Sequence, residues 1–179
     1  MKSKKAAKIF WDYLSLGSNS KERQPLYQFL RGIEFFESLT DRQLQRVAEV
    51  LYLREYKENE SLFEYGQPGA ALFIIQSGEI SIEIPAGEDR FTQVAVLKQN
   101  VFLGELALLD DSPRSASARA LKPTKCFSLF RADLHKLVET DPEISTQIYK
   151  TLATIVGERL KLTNELLNDE HEDNTQTVA

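Results

Sequence analysis

Apolar and polar residues alternate along the middle of the chain, from about residue 52 to residue 130. Ile80, Ile82 and Ile84 are separated by polar residues, which is the pattern of a strand with one buried face. Three further apolar runs have the length of short strands: 72–75, 94–97 and 126–130. Turns rich in glycine and proline separate these runs, and many short strands at regular spacing predict an antiparallel β-roll of the jelly-roll type.

The period of helices appears on the N-terminal side of the predicted roll. Residues 4–16 form a short amphipathic pattern, and residues 26–30 form a second one after a polar linker. Thr40 and Gln43 have the spacing of a capping box, in which each side chain bonds the other residue's backbone amide, so a third helix is predicted to begin there. The predicted fold class is therefore α+β, with N-terminal helices flanking an antiparallel roll.

A long helix is predicted after the roll. Asp141 followed by Pro142 is a strong start signal, because aspartate caps a helix and proline is tolerated at its first position. The helix would extend to about residue 168 with two apolar stripes: Ile148, Leu152, Ile155, Leu162 and Leu166, and beside it Tyr149, Ala153, Val156, Leu160 and Leu167. One stripe would face the roll and the other the same helix of a second subunit, which predicts a homodimer. The alternative is that both stripes pack on their own domain.

These patterns divide the 179 residues into four parts. They are an N-terminal helical extension at 1–31, the β-roll at 32–140, a C-terminal lid or dimerisation helix at 141–168 and a tail at 169–179. The tail is acidic and has neither lysine nor arginine, which predicts disorder.

Charge and cysteine content restrict the class of protein. A formal net charge of −5 argues against a general nucleic-acid binder, which would present a basic surface. Cys126 is the only cysteine, so an internal disulfide is excluded and a reducing, cytoplasmic location is expected. No apolar run reaches the roughly 20 residues of a membrane-spanning helix, so stable membrane insertion is not expected. The basic and aromatic helix at 4–16 would pack on the domain or, alternatively, lie on a membrane surface.

Residues 102–117 contain the most informative motif. Gly104 lets backbone approach a ligand closely, and the helical turn after it would direct free N–H groups at an anion. Arg114 follows a Ser-Pro turn, and its planar guanidinium suits phosphate oxygens. Glu105 would repel a phosphate, unless the same ligand offers a hydroxyl that donates to the carboxylate. A ligand with one ring phosphate and one free ribose hydroxyl is a 3′,5′-cyclic nucleotide.

This segment resembles the phosphate-binding cassette of the cyclic-nucleotide-binding domain, which catabolite activator proteins, regulatory subunits of cyclic-AMP-dependent kinase and cyclic-nucleotide-gated channels share. The family pattern, Phe-Gly-Glu-Leu-Ala-Leu-Leu, a turn and Pro-Arg-x-Ala-Ser/Thr, matches nearly residue for residue. Gly-Ile-Glu-Phe-Phe at 32–36 and Ser-Gly-Glu at 77–79 are further family signatures. The resemblance therefore extends over most of the chain, from about Gly32 to Asn164.

The resemblance implies a role for each residue of the cassette. Glu105 would accept a hydrogen bond from the ribose 2′-hydroxyl, and Arg114 would bind the cyclic phosphate. Five further residues would complete the cradle: Gly104, Leu106, Ala107, Ser115 and Ala116. Without the surrounding motif, Arg114 would be expected to pair with Asp110 or Asp111 on a surface turn.

Contacts to the base are expected from outside the cassette, since family members often close the long helix over the ligand. Arg159, Thr163 and Asn164 are the candidates on that helix, with an exposed helix face as the alternative. Val94 is a candidate for the sugar or base pocket, with core packing as the alternative.

Two positions depart from the family pattern. Asn59 and Asn100 stand where the family usually has turn glycines. Asparagine tolerates the left-handed backbone region better than most residues, so both are interpreted as substitutions that preserve the fold.

No motif of an enzyme or of a metal site accompanies the cassette. His135 and His171 are far apart in the sequence and are expected to be solvated, and the single cysteine completes no metal-ligand set. The chain is therefore predicted to be no enzyme and to need neither cofactor nor metal.

The resulting expectation is a cytoplasmic sensor of cyclic nucleotides, with cyclic AMP favoured and cyclic GMP left open by the hydroxyl of Ser115. Binding would order the cassette and draw the long helix against the roll, and an unidentified protein effector would recognise the change. The helix-turn-helix domain of activator-type regulators does not follow the long helix, so direct DNA binding is not expected. Two alternatives stay open: a scaffold that kept the fold and lost the ligand, and a transcription factor that acts through a DNA-binding partner.

Overall fold

The computed structural model describes residues 23–87 and 90–176, so the predicted helix at 4–16 lies outside the described residues. Within them, helix α1 (Arg23–Arg31) contains the predicted pattern at 26–30 and is followed by a short 3₁₀ helix (Glu34–Phe36) and helix α2 (Asp41–Ala48).

Helix α2 begins with the predicted capping box. Gln43 N donates to Thr40 Oγ1 at 3.4 Å, and Thr40 N donates to Gln43 Oε1 at 2.9 Å. The prediction is confirmed: both orphan amides at this helix start have partners.

The antiparallel roll is also confirmed. Eight strands form two four-stranded sheets, in the orders β1-β8-β3-β6 and β2-β7-β4-β5, and every paired neighbour is antiparallel. The strands are β1 (Leu51–Tyr56), β2 (Ser61–Phe63), β3 (Ala71–Ser77), β4 (Ile80–Pro85), β5 (Phe91–Leu97), β6 (Phe102–Leu103), β7 (Ser117–Ala120) and β8 (Thr124–Phe130). All four strands that alternation or apolar runs predicted lie within β3, β4, β5 and β8.

Two apolar cores hold these elements together. The smaller one lies between the sheets and includes Phe73, Ile75, Ile80, Ala118 and Cys126. The larger one joins the first sheet to the helices, including α3 (Arg131–Thr140) and α4 (Pro142–Gln176). The helices therefore pack against one sheet, and Phe102 and Leu108 of the segment 101–116 belong to the same core.

Helix α4 begins at Pro142 as predicted but ends later than predicted. Its buried residues on the roll side are Ile144, Ile148, Leu152 and Ile155. The predicted end at residue 168 is wrong, because the helix continues to Gln176. Residues 169–176, predicted to be disordered, are thus helical; a helix already nucleated on the roll propagates through a sequence that contains no proline or glycine. None of the helices in the described ranges combines the length and apolarity needed to cross a membrane.

The two asparagines that replace turn glycines have the expected backbone. Asn59 has φ 65° and Asn100 has φ 70°, both in the left-handed region. Their interpretation as substitutions that preserve the fold is confirmed, since asparagine reaches this region at lower cost than other residues with a Cβ.

Candidate functional site

A cavity of about 340 Å³ opens where the second sheet, the segment 101–116 and helix α4 meet. Its wall on the sheet side is apolar and is formed by Phe63, Ile82 and Leu97. The opposite wall contains the polar residues of the motif, among them Glu105 and Arg114. The cavity is therefore amphipathic: one side suits a flat apolar group, and the other suits an anion.

Gly104 shapes the polar wall. It has φ 75° and stands immediately before a 3₁₀ helix (Glu105–Leu108). A Cβ placed here would lie 2.5 Å from Nη1 of Arg114 and 3.3 Å from the carbonyl oxygen of Ala71. Only glycine satisfies both the left-handed backbone and this close approach.

Arg114 is buried, with 8% of its surface exposed. Its Nη1 donates to the carbonyl of Gly104 at 3.2 Å, and its Nη2 donates to the carbonyl of Ala71 at 2.7 Å. Its Nε finds no hydrogen-bond partner among the residues that the structure describes. Burial lowers the pKa of the guanidinium, and the charge of Glu105 opposes that shift. A buried cation with an unpaired N–H is unusual, because an unsatisfied buried donor costs free energy.

Backbone contacts hold Arg114 in place. Its N–H donates to the carbonyl of Gln67 at 2.8 Å, and its own carbonyl accepts from Gly66 N at 2.9 Å. The neighbouring Pro113 forms an isolated antiparallel bridge with Pro68. The loop at 66–68 therefore fixes the backbone of Arg114 and of its neighbour Pro113.

Glu105 lies on the same wall and is 5% exposed. Its carboxylate forms an ion pair with Arg159, which comes from helix α4 and whose guanidinium carbon lies 5.6 Å above the centre of the Phe102 ring. A buried carboxylate is stable only with such a partner. The long helix thus reaches the cavity through one charged side chain.

The alternative pairing of Arg114 with the neighbouring aspartates is wrong. Asp110 instead accepts from Ser112, from the backbone N at 3.0 Å and from Oγ at 2.8 Å, and these bonds lower the pKa of its carboxyl. Asp111 pairs with Arg131. The two acids stabilise the turn of the motif and leave Arg114 to the cavity.

The structure brings most of the predicted site residues to the cavity. The predicted residues that line it are Gly104, Glu105, Leu106, Ala107, Arg114, Ser115, Ala116 and Arg159. Their contact with a ligand stays a prediction.

Three candidate base contacts lie elsewhere. Val94 lies on β5, is 53% exposed and does not line the cavity. It is the extra residue where the register of β4 and β5 shifts, between Gln93, which pairs with Glu83, and Ala95, which pairs with Ile82. Thr163 and Asn164 are exposed on α4, and Thr163 donates to the carbonyl of Arg159 at 2.8 Å. They lie one turn beyond Arg159, past the point where the helix contacts the roll.

Sequence reasoning missed the apolar wall. Phe63, Ile82, Leu97 and Val101 line the cavity, and none of them belongs to the motif. Ile82 and Leu97 lie on paired strands, so the alternation that predicted β4 could have identified them as inward residues.

The comparison with known protein families gives a match over the same region. The sequence profile of the family described as "Cyclic nucleotide-binding domain" matches residues 53–141. These residues belong to the cyclic nucleotide-binding domain family. The cassette with Gly104, Glu105 and Arg114 falls inside the matched segment, and so does the whole roll from the second half of β1 onward.

Relatives of this cyclic nucleotide-binding domain occur in different classes of protein. A cGMP-dependent protein kinase of Eimeria tenella is 34% identical over 62% of this chain and 11% of its own length. A CRP-like cAMP-activated global transcriptional regulator of Mycobacterium tuberculosis is 31% identical over 64% of this chain and 50% of its own length. The chain spans at most half the length of these two relatives, so the similarity concerns the domain they share.

A solved structure agrees with this assignment. The catabolite activator protein of Thermus thermophilus superimposes with a TM-score of 0.69 at 27% identity, over 75% of this chain and 62% of that one. The domain is thus of the kind found in regulators and sensors.

Proposed function

We propose that this domain binds a 3′,5′-cyclic nucleotide and that Arg114 binds its phosphate. The observation that carries the proposal is the buried guanidinium of Arg114, whose Nε has no partner in the described chain and which faces a cavity of about 340 Å³. A cyclic phosphate would accept from this N–H and neutralise the buried charge.

Glu105 supports a ribose on the same ligand. A carboxylate that is 5% exposed and lines the same cavity as a phosphate site would repel a simple phosphate. A ribose 2′-hydroxyl would instead donate to it, and a hydrogen bond to a charged group contributes about 1.5–3 kcal/mol. Gly104, with Leu106, Ala107, Ser115 and Ala116, would form the cradle around the phosphate.

Cyclic AMP is the favoured ligand. The wall left for the base contains Ile82, Leu97 and Val101, which are apolar. Guanine presents more hydrogen-bonding atoms at its edges than adenine does, and burying them without partners is unfavourable. Ser115 also lines the cavity, and its hydroxyl would assist cyclic GMP. Relatives named for each nucleotide are known.

The ion pair between Glu105 and Arg159 is the proposed link between ligand binding and recognition by a partner protein. A ribose hydroxyl that donates to Glu105 changes what Arg159 can bond to, and Arg159 belongs to helix α4. Occupancy would thereby shift the position of the helix between two states, and an effector protein would recognise one of them. Hydrogen exchange at 131–167 that is the same with and without saturating ligand would contradict this route.

The part of helix α4 beyond its last buried residue, Ile155, is the proposed dimer contact. Leu162, which continues the stripe of Ile155, is 57% exposed, and Leu160, on the second stripe, is 59% exposed. Covering them with the same helix of a second copy would bury apolar surface.

A cytoplasmic location fits the buried free thiol of Cys126, because a reducing compartment leaves it unpaired.

Isothermal titration calorimetry with cyclic AMP and cyclic GMP tests the proposed function. We expect a Kd in the micromolar range or tighter for cyclic AMP, weaker binding of cyclic GMP, and loss of binding in Arg114→Ala. Arg114→Lys keeps the charge without the planar fork, and Arg119→Ala is the matched control because Arg119 pairs with Glu83 instead of lining the cavity. Folded protein that gives no heat with either nucleotide would favour a scaffold that lost its ligand.

A further inference from the structure

Arg114 is the end of a row of aromatic side chains inside the roll. The Tyr56 and Phe73 rings have centroids 6.5 Å apart, and the Phe73 and Phe63 rings have centroids 5.8 Å apart. The guanidinium carbon of Arg114 lies 4.0 Å from the centre of the Phe63 ring and 5.9 Å from that of Phe73. The closest ring, Phe63, also lines the cavity.

A local irregularity of strand β2 accompanies the position of Phe63. The register between β2 and β7 shifts between Ser61 and Phe63, so Ser61 faces Arg119 and Phe63 faces Ala118. Such a bulge redirects side chains relative to regular alternation. Phe63 consequently lies half-buried in the smaller core and under the guanidinium at the same time.

The ring and the two carbonyls constrain different motions of Arg114. The bonds to the carbonyls of Gly104 and Ala71 hold the Nη edge of the guanidinium. They leave its plane free to tilt about that edge, and the face of an aromatic ring restricts this tilt because a cation is attracted to the ring face. With all three contacts in place, the N–H bond of the unpartnered Nε is held in one orientation.

We propose that Phe63 is a positioning residue, whose ring fixes the plane of the Arg114 guanidinium before any ligand binds. The geometric part of this proposal concerns the ligand-free domain. Its consequence for affinity rests on the proposed function, because an arginine that is already oriented loses less conformational freedom when it binds a phosphate.

The geometric part is tested by NMR on ligand-free protein labelled with ¹⁵N at arginine. We expect the Arg114 Nε–H signal to be sharp and shifted upfield by the ring, and to lose that shift in Phe63→Leu while Phe63→Tyr retains it. Leu62→Ala is the matched control, since Leu62 lies on the same strand and packs on the same core. The same Arg114 signal in Phe63→Leu as in the wild type would overturn the proposal.

The consequence for affinity is tested with cyclic AMP and adenosine, which share base and ribose and differ in the phosphate. Phe63→Leu should weaken binding of cyclic AMP about five- to thirtyfold, the equivalent of a partly desolvated cation–π contact. Adenosine binding should weaken much less, because adenosine has no phosphate for Arg114 to bind. Equal weakening of both ligands would overturn the proposal by showing that Phe63 contacts the base or ribose.

The two proposals fail in distinguishable ways. If neither the wild type nor the variants bind cyclic AMP while the Arg114 signal still depends on Phe63, the proposed function is wrong and the positioning role stands. If cyclic AMP binds and the Arg114 signal is indifferent to Phe63, the positioning role is wrong and the proposed function stands.

Discussion

Two arginines of this domain lie beside cavities of different volume, and the smaller cavity is the better candidate for a binding site. Arg46 lies beside a cleft of about 700 Å³ between helix α2 and the junction of α3 and α4, twice the volume of the cavity at Arg114. It donates to Asp141 at 2.8 Å and to Glu49 at 2.6 Å, and 46% of its side chain is exposed. Arg114 is bound by carbonyls, rests on a ring and keeps an unpartnered Nε within the described chain.

The difference shows that the burial and pairing of an arginine identify a candidate anion site better than the volume of the adjacent cavity does. The hydrogen bond that Arg46 donates to Asp141 is the main cause that raises the pKa of Arg46, and such a neutralised pair has little to offer an anion. Burial lowers the pKa of Arg114, which means that its charge lacks a full counterpart. A ligand phosphate would supply that counterpart at Arg114 and would have to displace a carboxylate at Arg46.

The largest effect is expected from crowding Arg114. In Gly104→Ala the new methyl group would lie 2.5 Å from Nη1 and displace the guanidinium. The guanidinium would then no longer be placed to bind the phosphate, so we expect cyclic AMP affinity to fall at least about a hundredfold in calorimetry.

Gly87→Ala is the matched control for that substitution. Gly87 also has a positive φ, 109°, but a Cβ there would come no closer than 3.8 Å to another atom, Nη2 of Arg90, and Gly87 does not line the cavity. Both variants carry the strain of a left-handed alanine, about 1–2 kcal/mol in the free energy of unfolding, and only Gly104→Ala crowds Arg114. An equal loss of affinity in the two variants would show that general loosening of the loops, not the position of Arg114, determines binding.

A smaller effect is expected from Glu105→Gln, which keeps the shape of the side chain and removes its charge. The ion pair with Arg159 is lost, and so is the charged acceptor for the ribose hydroxyl. Affinity for cyclic AMP should fall about ten- to a hundredfold. Affinity for 2′-deoxy-cyclic AMP, measured in parallel, should change much less, because that ligand has no hydroxyl to donate. Equal losses with both ligands would assign Glu105 to the fold of the cassette instead of to the ribose.

The parts of this site that sequence could predict are those whose residues are neighbours in the chain. Gly104, Glu105 and Arg114 lie within one short segment, so their spacing carries the chemistry of the ligand. The capping box at Thr40 was predictable for the same reason, since both of its bonds close within one helical turn.

The parts that sequence could not predict depend on distant contacts. Arg159 was predicted at the base, but its contact in the structure is Glu105, 54 residues away, and helix packing decides that distance. Phe63 was missed because a register shift, which no local pattern encodes, places it under Arg114. The end of α4 was misjudged because acidic composition was interpreted as disorder, although the segment has neither proline nor glycine to end the helix.

The smallest effect is expected at the cleft. Arg46→Met removes the pair with Asp141 and keeps the apolar part of the side chain that covers the helix. Exposed pairs contribute little, so we expect Tm at neutral pH to fall by no more than a few degrees and the Kd for cyclic AMP to stay within about twofold. A clear loss of cyclic AMP affinity in this variant would contradict the conclusion that the binding site lies at Arg114 and not at Arg46.

The pH dependence of that small effect gives it a sharper signature. The hydrogen bond from Arg46 is the main cause that holds the pKa of Asp141 below its ordinary value of 3.8. A carboxyl whose pKa is lower in the folded state stabilises the fold above its unfolded pKa, and this contribution is lost as the pH falls through the folded value. The difference in Tm between the wild type and Arg46→Met should therefore be complete at neutral pH, begin to shrink near about pH 4, and disappear only below the lowered folded pKa of Asp141. A difference that persists in acid would mean that Arg46 stabilises the helices through the packing of its aliphatic carbons and not through Asp141.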